Sequence, residues 1–161
     1  MEQESKTSKT KYLTAAILIA AVAFFAFLFI NQSSQGDADF CRMIWDGMRK
    51  GNERVIRDID WEHLNLLGRD IGARYGLAKT DEERNKYKQN FLRGVAFGNR
   101  RYARVAPVFK NWRVYYSDSA KTVVAVDSVR RRAKTQTLFF TVSKGGAERK
   151  LVAIEFGGYG Q

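Results

Sequence analysis

The chain has 161 residues, 28 Lys and Arg against 17 Asp and Glu, and a formal net charge of +11. One proline excludes a Pro-rich linker, one cysteine excludes an intramolecular disulfide, and the length past the first hydrophobic run, about 125 residues, is enough for one core and too little for two. No repeat of fixed period and no low-complexity tract is present.

Leu13 to Ile30 reads LTAAILIAAVAFFAFLFI, eighteen residues without a charge. As a helix this run would extend about 27 Å, near the thickness of a hydrocarbon core. The reading is a single-pass transmembrane helix over 12–31, preceded by a short basic tail (1–11) and followed by a polar spacer (32–39) and a domain over 40–161. A cleaved signal peptide is the rival, but its apolar region is usually shorter and no A-x-A site follows. Lys6, Lys9 and Lys11 precede the run and Asp37 and Asp39 follow it, which places the domain on the extracytoplasmic, periplasmic side of an inner membrane. Cys41 stands eleven residues beyond Ile30, too far for a lipoprotein cysteine, and reads as a small buried residue rather than a reactive thiol.

From Phe40 the period is helical, with Phe40, Ile44 and Met48 at spacing four and Gly51-Asn52 as a stop. A second helix is expected from Asp58 or Asp60, carrying Trp61, Leu64, Leu67, Ile71 and Tyr75 and closed by Gly76. Thr80-Asp81-Glu82-Glu83 is a capping box for a third helix, whose apolar face is Tyr87, Phe91 and Val95. Gly94 and Gly98 flank that face and would let another backbone approach closely. The period then changes to two. Trp112, Val114 and Tyr116 define one strand, Val124 and Val126 the next, Leu138, Phe140 and Val142 a third, and Val152, Ile154 and Phe156 a fourth. Short turns at Ser117–Ala120 and Lys144–Ala147 make these an antiparallel meander. The expected fold is α+β: an N-terminal transmembrane helix, then three helices packed on a curved four-stranded antiparallel sheet.

This order resembles the cone-shaped domains of the nuclear transport factor 2-like and cystatin-like groups, and TLFFTVSKGGAERKLVAIEF is similar to their final hairpin. A narrower likeness, over about a third of the chain, is to the MlaC-like phospholipid-binding proteins. Asp58 or Asp60, Leu67-Gly68, Thr80 with Arg84, and Phe91 with Tyr102 carry it. That resemblance implies a lipid or other hydrophobic ligand held in a cavity of the domain.

Charge is the most unusual feature. Ten basic residues against two acidic ones lie between Arg100 and Lys134. Arg100, Arg101, Arg104, Arg113, Arg130, Arg131, Arg132 and Lys134 form the candidate surface for an anion or a partner, reaching over a Debye length of about 8 Å. The plain alternative is a solvated face that aids solubility. A second set, Trp61, Tyr75, Tyr87, Phe91, Trp112, Tyr116, Phe140 and Phe156, could line a ligand cavity, although it reads first as a core. His63 is the single histidine; it clusters with Asp58, Asp60 and Glu62 at an expected helix start, where carboxylates serve capping, and His63 with Asp60 is the candidate acid–base pair. No nucleophile elbow, P-loop, dinucleotide fingerprint or metal-ligand spacing is present. Neither enzymatic activity nor a metal or cofactor is expected. The expected function is that of a membrane-anchored binding and assembly protein, its basic domain contacting partner proteins or anionic surfaces in an envelope complex. Hydrophobic-ligand or phospholipid binding is the alternative. Nucleic acid is not expected as a partner, because it would require the domain on the cytoplasmic side.

Overall fold

The computed structural model describes residues 19–22, 36–130, 133–145 and 148–157. The chain divides into two compact units, Met1–Gln35 and Gly36–Gln161. In the first unit only the helical residues 19–22 are described, so most of the apolar run at 13–30 lies outside the described residues. Among the described residues no helix is long and apolar enough to cross a membrane. This corrects the expected transmembrane helix and the single-pass inner-membrane placement, and the topological ground for setting nucleic acid aside falls with them.

In the second unit a helix covers 36–50 (α1), so residues 36–39 are helical rather than spacer. Ala38, Cys41, Ile44 and Met48 recur every three or four residues and are all buried, which fixes the inward face of α1. Gly51, at φ +71°, ends the helix. Its N–H reaches the Met48 carbonyl (3.1 Å) and the Asn52 N–H reaches that of Gly47 (2.9 Å), so two last-turn carbonyls are satisfied by a left-handed glycine cap. Asn52 then caps a 3-10 turn at Glu53–Asp58, its side chain accepting from the Arg54 amide.

The expected second helix is the largest correction within the domain. Ile59 and Asn65–Leu66 instead pair with the last strand in parallel, on either side of a turn at residues 61–63. Ile59 bridges Leu151, the Asp60 N–H bonds the Leu151 carbonyl (2.9 Å), and the Leu67 N–H bonds the Ile154 carbonyl (2.7 Å). Strands β1 (Asn65–Leu66) and β2 (Arg69–Asp70) form a two-residue hairpin through Leu67 and Gly68, at φ 52° and 78°. Both central residues at positive φ mark a type I′ turn. Only Ile71–Tyr75 (α2) is helical, capped by Asp70, which accepts from the Ala73 N–H at 2.8 Å. Trp61, Leu64, Ile71 and Tyr75 are all buried, as a helical stripe would demand, yet their burial is achieved by a turn at residues 61–63, the short hairpin after it and one helical turn and a half. The Gly72 backbone presses on the Glu62 carbonyl, leaving no room for a Cβ.

Helix α3 (Asp81–Arg101) has the expected capping box. The Glu83 N–H donates to the Thr80 hydroxyl, and the Glu83 carboxylate accepts from the Thr80 and Lys79 amides. Three acids in the first turn and Arg100 and Arg101 in the last complement the helix dipole. Its most buried residues are Leu92 and Ala96, one position beyond the expected Phe91 and Val95. Strands β3 (Val108–Ser117), β4 (Lys121–Val129), β5 (Gln136–Ser143) and β6 (Lys150–Phe156) form the antiparallel meander. The sheet is not four-stranded and antiparallel: it has six strands in the order β2-β1-β6-β5-β4-β3, with β1 and β6 parallel. The β1 backbone thereby covers a β6 edge that would otherwise be open to another chain.

One face of the meander meets the helices. Val124, Val126, Leu138, Phe140, Val142, Leu151 and Ile154 pack with the buried residues of α1 and with Trp61, Leu64 and Leu92 in one core. At the lower end of α1, Asp37 is only 4% exposed. Its carboxylate accepts from the Thr122 hydroxyl of β4 (2.8 Å) and from Arg149 ahead of β6 (2.8 Å), with Lys144 at 3.6 Å. Burial penalises this charge, but the Arg149 and Thr122 hydrogen bonds and the Lys144 and Arg149 charges outweigh the penalty and hold the carboxyl below its usual range.

Two outcomes test this description. Asp37→Asn leaves Arg149 and Lys144 without their anion and should destabilise the domain at neutral pH by about 2–3 kcal/mol, the lower end of the range because Arg149 is half exposed. Because the folded carboxyl is more acidic than the unfolded one, its contribution is complete above about pH 4 and is lost as the pH falls through the folded value, so the gap between variant and parent should close in acid. Leu67→Gly removes a side chain from a left-handed position and should raise stability by roughly 1 kcal/mol in denaturant titrations.

Candidate functional site

A cleft of about 1080 Å³ opens where the end of α3, the connection into β3, the upper half of α1 and the end of β4 meet. Trp45 and Arg49 reach it from α1. Gly94, Val95, Gly98 and Asn99 form the α3 wall, Tyr102 to Pro107 the connection, and Val108, Val129, Arg130 and Ala133 the sheet side. Three of the described lining residues are arginines and none is acidic.

Each arginine is placed by a different element. Arg49 stands one turn past Trp45 on α1. Its Nε donates to Asn99 Oδ1 (2.9 Å), and the Asn99 amide donates back to the Arg49 carbonyl (3.5 Å), so α1 and α3 are tied across the cleft wall. Arg104 lies in the connection that follows the C-cap Tyr102, where the chain can no longer continue as a helix into Pro107. Arg130 follows the last residue of β4. Trp45 packs edge-on to Phe109 (5.1 Å) and Phe140 (5.9 Å), and its indole N–H is buried with no acceptor among the described residues. Around the cleft, Phe97, Tyr102, Val105 and Val108 are each more than half exposed, a large amount of bare apolar surface in one neighbourhood.

The structure divides the basic set read from the sequence. Arg104 and Arg130 line the cleft, and Arg100 and Arg101 occupy the exposed last turn of α3 beside it. Lys134 is exposed beyond β4. Arg113 is committed elsewhere: it donates to the Asn111 carbonyl (2.9 Å) and to Asp127 (3.1 Å), whose carboxyl is held low first by the Asn111 hydrogen bond and then by Arg113. Arg131 and Arg132 lie outside the described residues. Arg49 and Trp45 belong to the cleft although periodicity placed them only on a helix. The available signal was their spacing of four beside the inward stripe, which puts both on its flank.

The aromatic set closes on itself in two places. Trp61 meets Phe91 (5.4 Å), Tyr75 (6.2 Å) and Tyr87 (6.5 Å), while Trp112 meets Phe140 (5.0 Å). Such tilted and edge-to-face pairs contribute about 0.5–1.5 kcal/mol each beyond their burial. Trp61 also borders a second, shallower cleft of about 720 Å³ with Arg54, Arg57, Lys88 and Lys150, and Trp112 borders one of about 240 Å³. Tyr116 and Phe156 are exposed, and the Tyr116 hydroxyl donates to Asp118 in the β3–β4 turn (2.7 Å).

His63 and Asp60 are paired, with Nδ1 and Oδ2 3.1 Å apart, but the imidazole is 71% exposed and neither residue lines any of these clefts. Asp60 also accepts from the Glu62 and His63 amides, so its carboxylate serves the turn it begins. Cys41 is fully buried, and burial, assisted by the Asp37 charge, pushes its thiol up to about 12. No protein-family model matches this chain, and no curated protein or solved structure matches it.

A thiol of this kind stays protonated and inert at physiological pH. Iodoacetamide should therefore leave Cys41 unmodified in the native protein at pH 8 and label it fully in denaturant; rapid native labelling would show that the core around α1 opens.

Proposed function

We propose that this chain is a non-enzymatic binding protein that holds an acidic segment of a partner protein in the cleft between α1, α3 and β3, as a component of an assembly. The observation that carries this reading is the convergence of Arg49, Arg104 and Arg130 on one cleft with no acidic residue among the described lining residues. Guanidinium groups present several donors in a fixed plane and pair bidentately with carboxylates, so three of them without a carboxylate partner among the described residues favour an external anion. The bare aromatic and aliphatic rim beside them has the composition of a protein interface, where aromatic residues and arginine are enriched. The placement of His63 and Asp60 on the surface, away from this cleft, supports a binding role over acid–base catalysis.

A hydrophobic or lipid-like ligand is the second reading. It is favoured by the cleft's volume, of the order of the roughly 300–1,000 Å³ of small-molecule sites, and by its apolar side chains Trp45, Val95 and Val108. Native mass spectrometry of the purified protein should then show a co-purified ligand, and a mass equal to the bare polypeptide counts against it.

The leading reading is tested with a fluorescent glutamate-rich peptide. Combined Arg104→Glu and Arg130→Glu substitution should weaken its binding by at least about tenfold, and affinity for the parent protein should fall as salt is raised from 50 to 300 mM. Unchanged affinity in the double variant, or stronger binding to a single-stranded oligonucleotide of equal charge, would overturn it.

A further inference from the structure

Gly94 and Gly98 stand one turn apart on α3, and both line the large cleft. A Cβ built on either would meet nothing within 4 Å. Packing inside the fold therefore does not require glycine at these positions, although each weakens the helix relative to alanine. This is the opposite of Gly72, whose backbone is pressed against a neighbouring carbonyl. What the two glycines provide is a smooth, unfilled strip of helix surface, with Val95 and Trp45 beside it and the cleft's arginines at its end.

Resting on the partner-binding reading above, we infer that the occupant of this cleft is an acidic amphipathic helix of a partner protein, laid close over Gly94 and Gly98. Two positions cleared at i and i+4 suit a helix, because interaxial distance is set by the side chains at the contact and shrinks where they are small. The apolar stripe of the incoming helix meets Val95, Trp45 and Val108, and its carboxylates meet Arg49, Arg104 and Arg130, a match of charge as well as shape. An extended partner would instead seek the free edge of β3. That edge is broken by register shifts between Lys110 and Arg113 and between Val114 and Tyr116, which interrupt the regular row of donors and acceptors a new strand needs. A small amphiphile would leave Tyr102 and Val105, 57% and 68% exposed on the rim, largely uncovered, whereas a helix crossing the cleft covers them.

The experiment is selection of a random 16-residue peptide library on the full-length chain, followed by synthesis of the enriched sequences. The expected winners are net acidic with apolar residues at i, i+3, i+4 and i+7, and they gain helical circular dichroism on binding. Gly98→Leu, and independently Gly94→Leu, fills the strip and should weaken binding by about tenfold or more, whereas Gly98→Ala should change it little. The open space at both positions lets the leucine variants fold, which thermal melts check; if one fails, the other gives the result. Acidic winners that bind without becoming helical, or that bind both leucine variants as well as the parent, would overturn the helical occupant and leave an acidic partner in place. Winners indifferent to Arg104→Glu and Arg130→Glu, or no enrichment at all, would overturn both readings. A cleft filled by a co-purified amphiphile that no enriched peptide displaces would also overturn the inference.

Discussion

Everything at the cleft depends on how α1 is held against the sheet, and that is decided at its lower end by one buried carboxylate. Asp37 takes hydrogen bonds from Thr122 on β4 and Arg149 ahead of β6, so a single side chain fixes the helix to two separate parts of the meander. Arg149 also lies over the Phe40 ring at 5.2 Å, which anchors the next turn face of the same helix. From that fixed point the helix rises about 1.5 Å per residue, so Trp45 and Arg49 are carried roughly 12 and 18 Å away to the level of the cleft. Their position is thus set by a contact they do not touch. A buried ion pair is a costly way to hold two elements together, and hydrophobic residues could do it at least as well in energy. What the carboxylate adds is a directional contact: Thr122 approaches it from β4 and Arg149 from the segment ahead of β6, and a rotation or slip of α1 breaks both bonds.

The upper end is closed by a second directional link, between Arg49 and Asn99, which joins α1 to α3. Between the two links lies a dry core in which Cys41, Ile44 and Met48 are fully buried. Internal pairing also decides which cations remain available. Asp37 absorbs Arg149 and Lys144, and Asp127 absorbs Arg113, so the cations near these acids are internally paired. The cleft has no carboxylate among its described lining residues. Part of the positive surplus in the composition is thereby gathered at the cleft, and in the proposed function that charge would steer and orient an anionic partner more than bind it tightly. In that proposed function affinity would come from the apolar surface beside the arginines, where Val105, Val108 and Tyr102 are bare.

The segment between α1 and α3 shows how tertiary pairing overrides local pattern. Trp61, Leu64, Ile71 and Tyr75 have helical spacing, and all four are buried, yet most of the stretch is not helical. A strand edge on β6 offers backbone partners to Ile59, Asp60 and Leu67, and those bonds pin both ends of a segment that turns at residues 61–63 instead of winding into a helix. Leu67 is held at positive φ as a consequence, a local conformation that its own preference opposes. The aromatic residues of this segment still find one another, which is why the burial was legible while the element was not.

The sequence by itself determined the elements whose signals are local. The capping box at Thr80 began α3 where expected, because side chain and backbone satisfy one another within four residues. The alternation after Pro107 specified β4 and β5, because period two sends one set of residues inward, whereas in β6 a register shift opposite Thr141 and Val142 buries Leu151 and Ile154 in place of the expected Val152, Ile154 and Phe156. Charge counting found Arg104 and Arg130, but it could not separate them from Arg113, which looks the same in one dimension and is neutralised by an aspartate fourteen residues on. Only the tertiary structure decided that Arg49 joins them, that β1 and β6 run in parallel, and that the space over Gly94 and Gly98 stays empty. Each of these is a relation between residues distant in the chain, fixed by which surfaces meet once the core has closed, and no periodicity or local preference encodes it.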